Sequence, residues 1–350
     1  MKSYRSERAA FTDPDTGAAV VRYTGWRGNS NHLYFTNNSF YDGGRRIVFM
    51  SDRENAQNLY SLDLESGEIE QLTELPQPPY PMGYGLHESF VDPVRDACCF
   101  FVDRTMMRLD LRTRAMQAIY EMPPSFRHHI LSVSADGRYV YTSIFAEVPG
   151  ARTIWEEDAF LAHVNASPTD PDLLTFCHEG AWDRVDHRLW LLDLRVGTPR
   201  KLHPCGEGEV IGHEYWYADG RRIGYHGHLR GAFQLGVTDW DGAHDRAWTF
   251  PFRTGHIYSL DERIVVGDGS REGRYIRLWA LEADGYGPPR ALCAHNCSFK
   301  TQEAHVHPRF TPDGRAVLYT SDETGYNQIY LARVPESLRD LPPLSALSPI

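Results

Sequence analysis

The sequence predicts an all-β chain, a seven-bladed β-propeller, on three observations. A turn carrying aspartate recurs seven times, and each recurrence leads into alternating aromatic and aliphatic residues. The N-terminal stretch also resembles the piece that the last repeat lacks.

In chain order the repeats are FYDGGRRIVFMSD, FVDPVRDACCFFVD, VSADGRYVYTSIF, SPTDPDLLTFCHEG, YADGRRIGYHGH, SLDERIVVGDGS and FTPDGRAVLYTSD. Their anchors are Asp42, Asp92, Asp136, Asp170, Asp219, Asp261 and Asp313, spaced by 50, 44, 34, 49, 42 and 52 residues. Most of these intervals suit a blade of four strands, in which Asp-Gly supplies the positive backbone angles of a tight hairpin. A further strand and turn follow in several units, as in NLYSLDLESGEIEQLTE (58–74), and RLWLLDL (188–194), RLWALEA (277–283) and QIYLARV (328–334) take equivalent places. The interval from Asp136 to Asp170 is too short for a regular blade, so the third blade is expected to be reduced, with AEVPGARTIWEED where two strands and a turn belong. The seventh unit stops after QIYLARVPES, while DPDTGAAVVRYT (13–24) matches the blade ending DLESGEIEQLT (63–73). The N-terminal strand is therefore expected to complete the last blade, close the ring and remove a sheet edge. The reading is one domain over residues 1–350, with 338–350 a loosely ordered tail.

Composition bounds the function. The chain has 350 residues, 41% of them hydrophobic, enough for a large core, and no apolar run approaches the roughly 20 residues of a membrane helix. MKSYRSERAAFTDPDTG lacks the apolar segment of a secretory signal, which makes the cytoplasm the expected location. A net charge of -11 argues against nucleic acid as a partner, because phosphate binding needs a basic face. The six cysteines do not form the disulfide framework of a small scaffold, and Cys293-Ala-His295-Asn-Cys297 lacks the second ligand pair of a zinc site.

Polar residues that break the blade pattern gather near blade boundaries: HEG at 178–180, VDHRLW at 185–190, GEGEVIGHEYW at 206–216, RTGHIYSL at 253–260 and QEAHVHPRF at 302–310. His305 and His307 have the spacing that period two points to one side, and with His256 and Gln302 they would suit a divalent metal; satisfied structural histidines are the other reading. His213 is either a base or a packed strand end, Arg188 a substrate clamp or an ion-paired blade residue, and Glu179 an acid or a turn carboxylate. No G-x-S-x-G elbow, P-loop or dinucleotide fingerprint is present.

Taken in order, VVRYTGWRGNSNHLYFTNNSF, FCHEGAWDRVDHRLWLLDL, EGEVIGHEYWYADG, RTGHIYSLDERIVVGDGS and QEAHVHPRFTPDGRAVLYTSD resemble the oligogalacturonate lyase family, seven-bladed propeller enzymes that degrade short pectin fragments in bacterial cytoplasm. The resemblance implies metal-dependent β-elimination of 4-linked galacturonate oligomers, such as digalacturonate or trigalacturonate, to 4,5-unsaturated products. It implies a divalent cation, typically manganese, on His256, Gln302, His305 and His307, a catalytic base at His213, and a substrate-binding arginine at Arg188. His178 is expected to assist in substrate binding, within a cationic pocket. The short third blade departs from the family and bears on substrate length. Two alternatives stay open: action on another uronate-containing oligosaccharide, and a non-catalytic TolB-like propeller that binds proteins.

Overall fold

Each of the seven anchor aspartates lies at or inside the turn of an antiparallel strand pair. The reason is local. The carboxylate of Asp92 accepts the amides of Val94 and Arg95, that of Asp219 accepts those of Arg221 and Arg222, and that of Asp313 accepts that of Arg315. Such side-chain bonds hold a turn before any tertiary contact forms. Gly137, Gly220 and Gly314 then take φ of 69°, 65° and 70°, where a side chain would be strained.

The computed structural model describes the chain apart from residues 1, 77–84, 93, 125–130, 144–149, 182–183, 186 and 348–350. Among the described residues there is no α-helix, only strands and short 3-10 turns. Six sheets have four or more strands, and the third repeat is represented by a two-stranded ladder, Ser132–Val133 with Val140–Tyr141. Seven complete blades are therefore not what the described residues show. Residues 150–158 of the expected irregular segment form no strand, while 144–149 lie outside the described residues.

Backbone contacts group the sheets into two units, Met1–His87 with Phe252–Ile350, and Glu88–Pro251. In the first unit, Ala19–Arg22 pairs with Gln328–Arg333 through Val20↔Ala332, Val21↔Leu331 and Arg22↔Tyr330, so N-terminal chain does complete the last sheet. Ala9–Thr12 adds one strand beyond it. Phe40, Ile47, Phe49, Tyr60 and Leu62 of the first sheet pack with Leu318 and Ile329 of the last in one apolar cluster. The tail is not loose over its described part: the Ala291 amide donates to the Pro342 carbonyl at 3.1 Å, and Leu341 is buried. In the second unit, Leu173, Leu189 and Leu191 pack with Ile211, Trp216, Ile223 and Tyr225 between neighbouring sheets.

Candidate metal centre and charged cluster

In the first unit, QEAHVHPRF enters its strand through a braced turn. The 3-10 turn Gln302–Ala304 is capped by the Thr301 side chain, which accepts from the Ala304 amide. Asn31 and Asn327 both donate to the Glu303 carbonyl, at 2.7 and 3.2 Å. Val306 is fully buried, and its carbonyl accepts from the Thr320 amide. His305 and His307 precede the strand, which begins at Arg309, so period-two geometry does not align them. The alignment comes instead from His307 at φ 45°, in the left-handed region. For a non-glycine residue that conformation costs on the order of 1 kcal/mol, and it persists where the surroundings fix it.

The result is a convergence of three imidazoles. Ligand atoms of His256, His305 and His307 all lie within 4.8 Å of one another. The His256 ring is 5.4 Å from that of His305 and 4.4 Å from that of His307. Phe35 lies parallel to His307 at 6.0 Å and edge-on to His256 at 5.2 Å, forming an apolar wall. Burial, then the neighbouring His256, pushes the His305 imidazole toward its neutral form, and its buried Nδ1 has no hydrogen-bond partner. Gln302 lies on the same turn, exposed to solvent.

Asp268, which the sequence reading did not single out, organises this cluster. It is fully buried and accepts the His256 Nδ1–H at 2.8 Å, together with the amides of Gly255, His256 and Ser270. Burial alone would raise its carboxyl, but the bonds from His256 and the backbone amides outweigh it and hold the group far below the usual range. A carboxylate behind one ring nitrogen fixes the tautomer and aims the other nitrogen forward, the usual support of a metal-binding histidine. The residues present therefore fit a divalent cation. The other candidate, around Cys293, His295 and Cys297, does not form: His295 Nε2 donates to the Gly273 carbonyl and the Cys297 thiol to that of Ala304.

The second unit gathers a different set. Arg188, buried at the start of Leu189–Asp193, grips Glu179 with both terminal nitrogens, at 3.1 and 3.0 Å, and aims Nε at Glu214 at 3.4 Å. Burial disfavours the guanidinium charge, but Glu214, Cys177 and Glu179 more than restore it. Glu179 is likewise pushed up by burial and pulled below its ordinary range by Arg188. His163, at φ 49° beside a strand irregularity, places Nε2 3.5 Å from Glu179 and Nδ1 3.6 Å from Glu214. Arg188 is thus bracketed by two carboxylates, since a buried guanidinium requires counter-charge.

His213 lies on the strand Glu209–Trp216, partly exposed, with its ring 6.2 Å from that of His163. Its Nδ1 is 2.8 Å from Nε2 of His226 on the neighbouring strand. His178 pairs with Glu157 at 2.9 Å and stacks on Trp190 at 4.7 Å. The structure thus brings together His256, His305 and His307 in one unit, and Arg188 with Glu179, Glu214 and His163 in the other.

A family model described as oligogalacturonate lyase matches residues 3–140 and 138–278. An oligogalacturonide lyase of Pectobacterium atrosepticum is 28% identical, over 94% of this chain and 96% of its own. An oligogalacturonate lyase of Dickeya dadantii is 27% identical over the same shares. Among solved structures, an oligogalacturonate lyase in complex with manganese superposes with a TM-score of 0.83 at 27% identity, covering 97% of this chain and 99% of that one.

Proposed function

This chain belongs to the oligogalacturonate lyase family, and from that membership we propose how its own residues perform the reaction. It is a carbon–oxygen lyase acting on oligogalacturonides by β-elimination, with a divalent metal, manganese in the structural relative, as cofactor. We propose digalacturonate and trigalacturonate as the substrates and the cytoplasm as the location; among the described residues no helix is long and apolar enough to cross a membrane. We propose also that residues 1–350 belong to one propeller domain, in which the Ser132–Tyr141 ladder stands in the place of the third repeat and the pairing of Ala19–Arg22 with Gln328–Arg333 completes the last sheet with N-terminal chain.

His256, His305 and His307, with Gln302 beside them, would hold the metal. When bound, such a cation would supply Lewis-acid neutralisation of a substrate carboxylate. The proton at C5 of the uronate is acidified by that carboxylate. His213 takes this proton, the C–H electron pair becomes the C4–C5 double bond, and the C4–O pair leaves with the glycosidic oxygen. Imidazole suits the task because its unperturbed pKa, about 6.5, leaves it mostly neutral near pH 7. Arg188 spends three of its N–H groups on Glu179 and Glu214, leaving two for a uronate oxygen. His178, stacked on Trp190, offers a flat face to a sugar ring.

The observation that carries this reading is the convergence of three imidazoles backed by Asp268. The test is incubation with digalacturonate, trigalacturonate and other uronate oligomers, after chelation and with manganese restored, following the ultraviolet absorbance of the unsaturated product. Manganese-dependent absorbance from galacturonate oligomers is expected. Equal rates after exhaustive chelation would sink the metal assignment, and preference for another uronate would sink the substrate.

A further inference from the structure

The pairing of His213 with His226 has a directional consequence. The two residues face each other across the strands Glu209–Trp216 and Arg222–Leu229, just past a register shift between Ile211 and His213. Gly227 permits the close approach: a Cβ there would meet the Val210 carbonyl at 1.8 Å. An irregularity of this kind re-aims a side chain, and here the two rings end 4.6 Å apart with Nδ1 of His213 and Nε2 of His226 at 2.8 Å. His226 is buried.

Two neutral imidazoles share one proton across such a contact, and only one arrangement leaves a base. If His226 donates, His213 carries its own hydrogen on Nε2 and has no lone pair to offer. If His213 donates through Nδ1, its Nε2 lone pair is ready, and the imidazolium formed on taking a proton keeps an acceptor for its Nδ1–H. An unrestrained histidine prefers the Nε2–H form, so the useful tautomer has to be held. We infer that His226 is a positioning residue that accepts from His213 Nδ1 and so keeps Nε2 of His213 as the proton-accepting atom. This rests on the reading of His213 as the base.

The test uses the full-length, manganese-loaded protein labelled with ¹⁵N-histidine, the His213 signals being assigned by their loss in His213→Ala. Wild type is expected to show His213 protonated at Nδ1 and bare at Nε2. His226→Leu is expected to lose that signature and to lower kcat by about tenfold to a hundredfold, less than loss of the base itself, with KM and metal content near wild type. His226→Gln, which returns an acceptor oxygen near the position of Nε2, is expected to recover much of kcat and also serves if the leucine variant folds poorly. An Nε2–H tautomer in wild type, or wild-type kcat in His226→Leu, overturns the inference. The two readings separate cleanly: an active His213→Ala removes the base assignment, whereas an inactive His213→Ala beside a fully active His226→Leu removes only the role of His226.

Discussion

Two histidine clusters, one built at strand entrances and the other at irregularities within strands, differ in what surrounds the rings. Around His256, His305 and His307 the neighbours are aromatic faces and one buried carboxylate, Asp268, already engaged by His256 and three backbone amides. Around His213 and His163 the neighbours are another imidazole, a buried arginine and two glutamates. The first arrangement brings three sets of ring nitrogens to one point, which suits a cation. The second is a network in which protons and charges can be redistributed, which suits acid–base work. Neighbours, more than residue type, divide the labour.

The sharpest way to break this comparison is to exchange the expected consequences. His213→Ala should lower turnover by about 10² to 10⁴ while manganese content and melting temperature stay near wild type, because no proposed metal ligand is touched. Assaying elemental content and turnover on one preparation checks it; metal loss in this variant would place His213 with the ligands. In the other cluster, Asp268→Asn keeps the shape and removes the charge behind His256, so manganese affinity should fall by about 10- to 100-fold. Titration calorimetry on chelated protein reads this directly. Saturating manganese should restore much of the activity of Asp268→Asn and none of that of His213→Ala.

Arg188→Lys has an intermediate effect and probes the second cluster alone. Lysine keeps the charge but cannot hold Glu179 with a planar fork, so KM for trigalacturonate should rise by about tenfold and kcat should fall less. Arg188→Ala is a poorer test: it leaves the fully buried Glu214 without its cation, and breaking a buried pair costs about 3–5 kcal/mol. A lysine variant with unchanged KM would mean that the guanidinium serves Glu179 and Glu214 only.

The two clusters also differ in how much of them the sequence discloses. Turn chemistry is local, and all seven aspartate turns, with the shortness of the third repeat, are legible from spacing and composition. His-x-His in a fixed order with RTGH and GHEYW is legible as a motif, though the means of convergence, positive φ at His307, is not. Asp268 becomes visible only through the pairing of Ile257 with Gly267, which carries it back beside His256. A signal did exist: an aspartate between an apolar strand and Gly269, itself at φ 74°. His163 has no comparable signal, because it comes from the irregular stretch where the repeat fades. Its role depends on where Glu179 and Glu214 are brought by two different strands.

The smallest effect expected separates proton-handling histidines from metal-holding ones by pH. In the bend that leads into the strand of His213, His203 bridges Asp245 at 2.6 Å and Glu209 at 2.8 Å, two residues of the sheet that carries His213. Burial lowers the affinity of His203 for its proton, but the two carboxylates outweigh it, so its pKa lies above the ordinary 6.5. Its contribution to stability is then fully present below pH 6.5 and is lost as pH rises through the raised value. Burial pushes Glu209 up, yet the Gly206 amide, Gln234 and His203 bring it below its ordinary 4.5, so its contribution is present above pH 4.5 and is lost as pH falls through the lowered value. The network is therefore strongest between about pH 4.5 and 6.5. His203→Gln should cost about 1–2 kcal/mol in that window and progressively less above it, a few degrees in melting temperature at pH 6. Manganese should not change the difference, because His203 pairs with Asp245 and Glu209 and not with the imidazole cluster. Melting curves of wild type and variant from pH 5 to 9, with and without manganese, measure it, and a pH-independent difference would mean that His203 is held by packing.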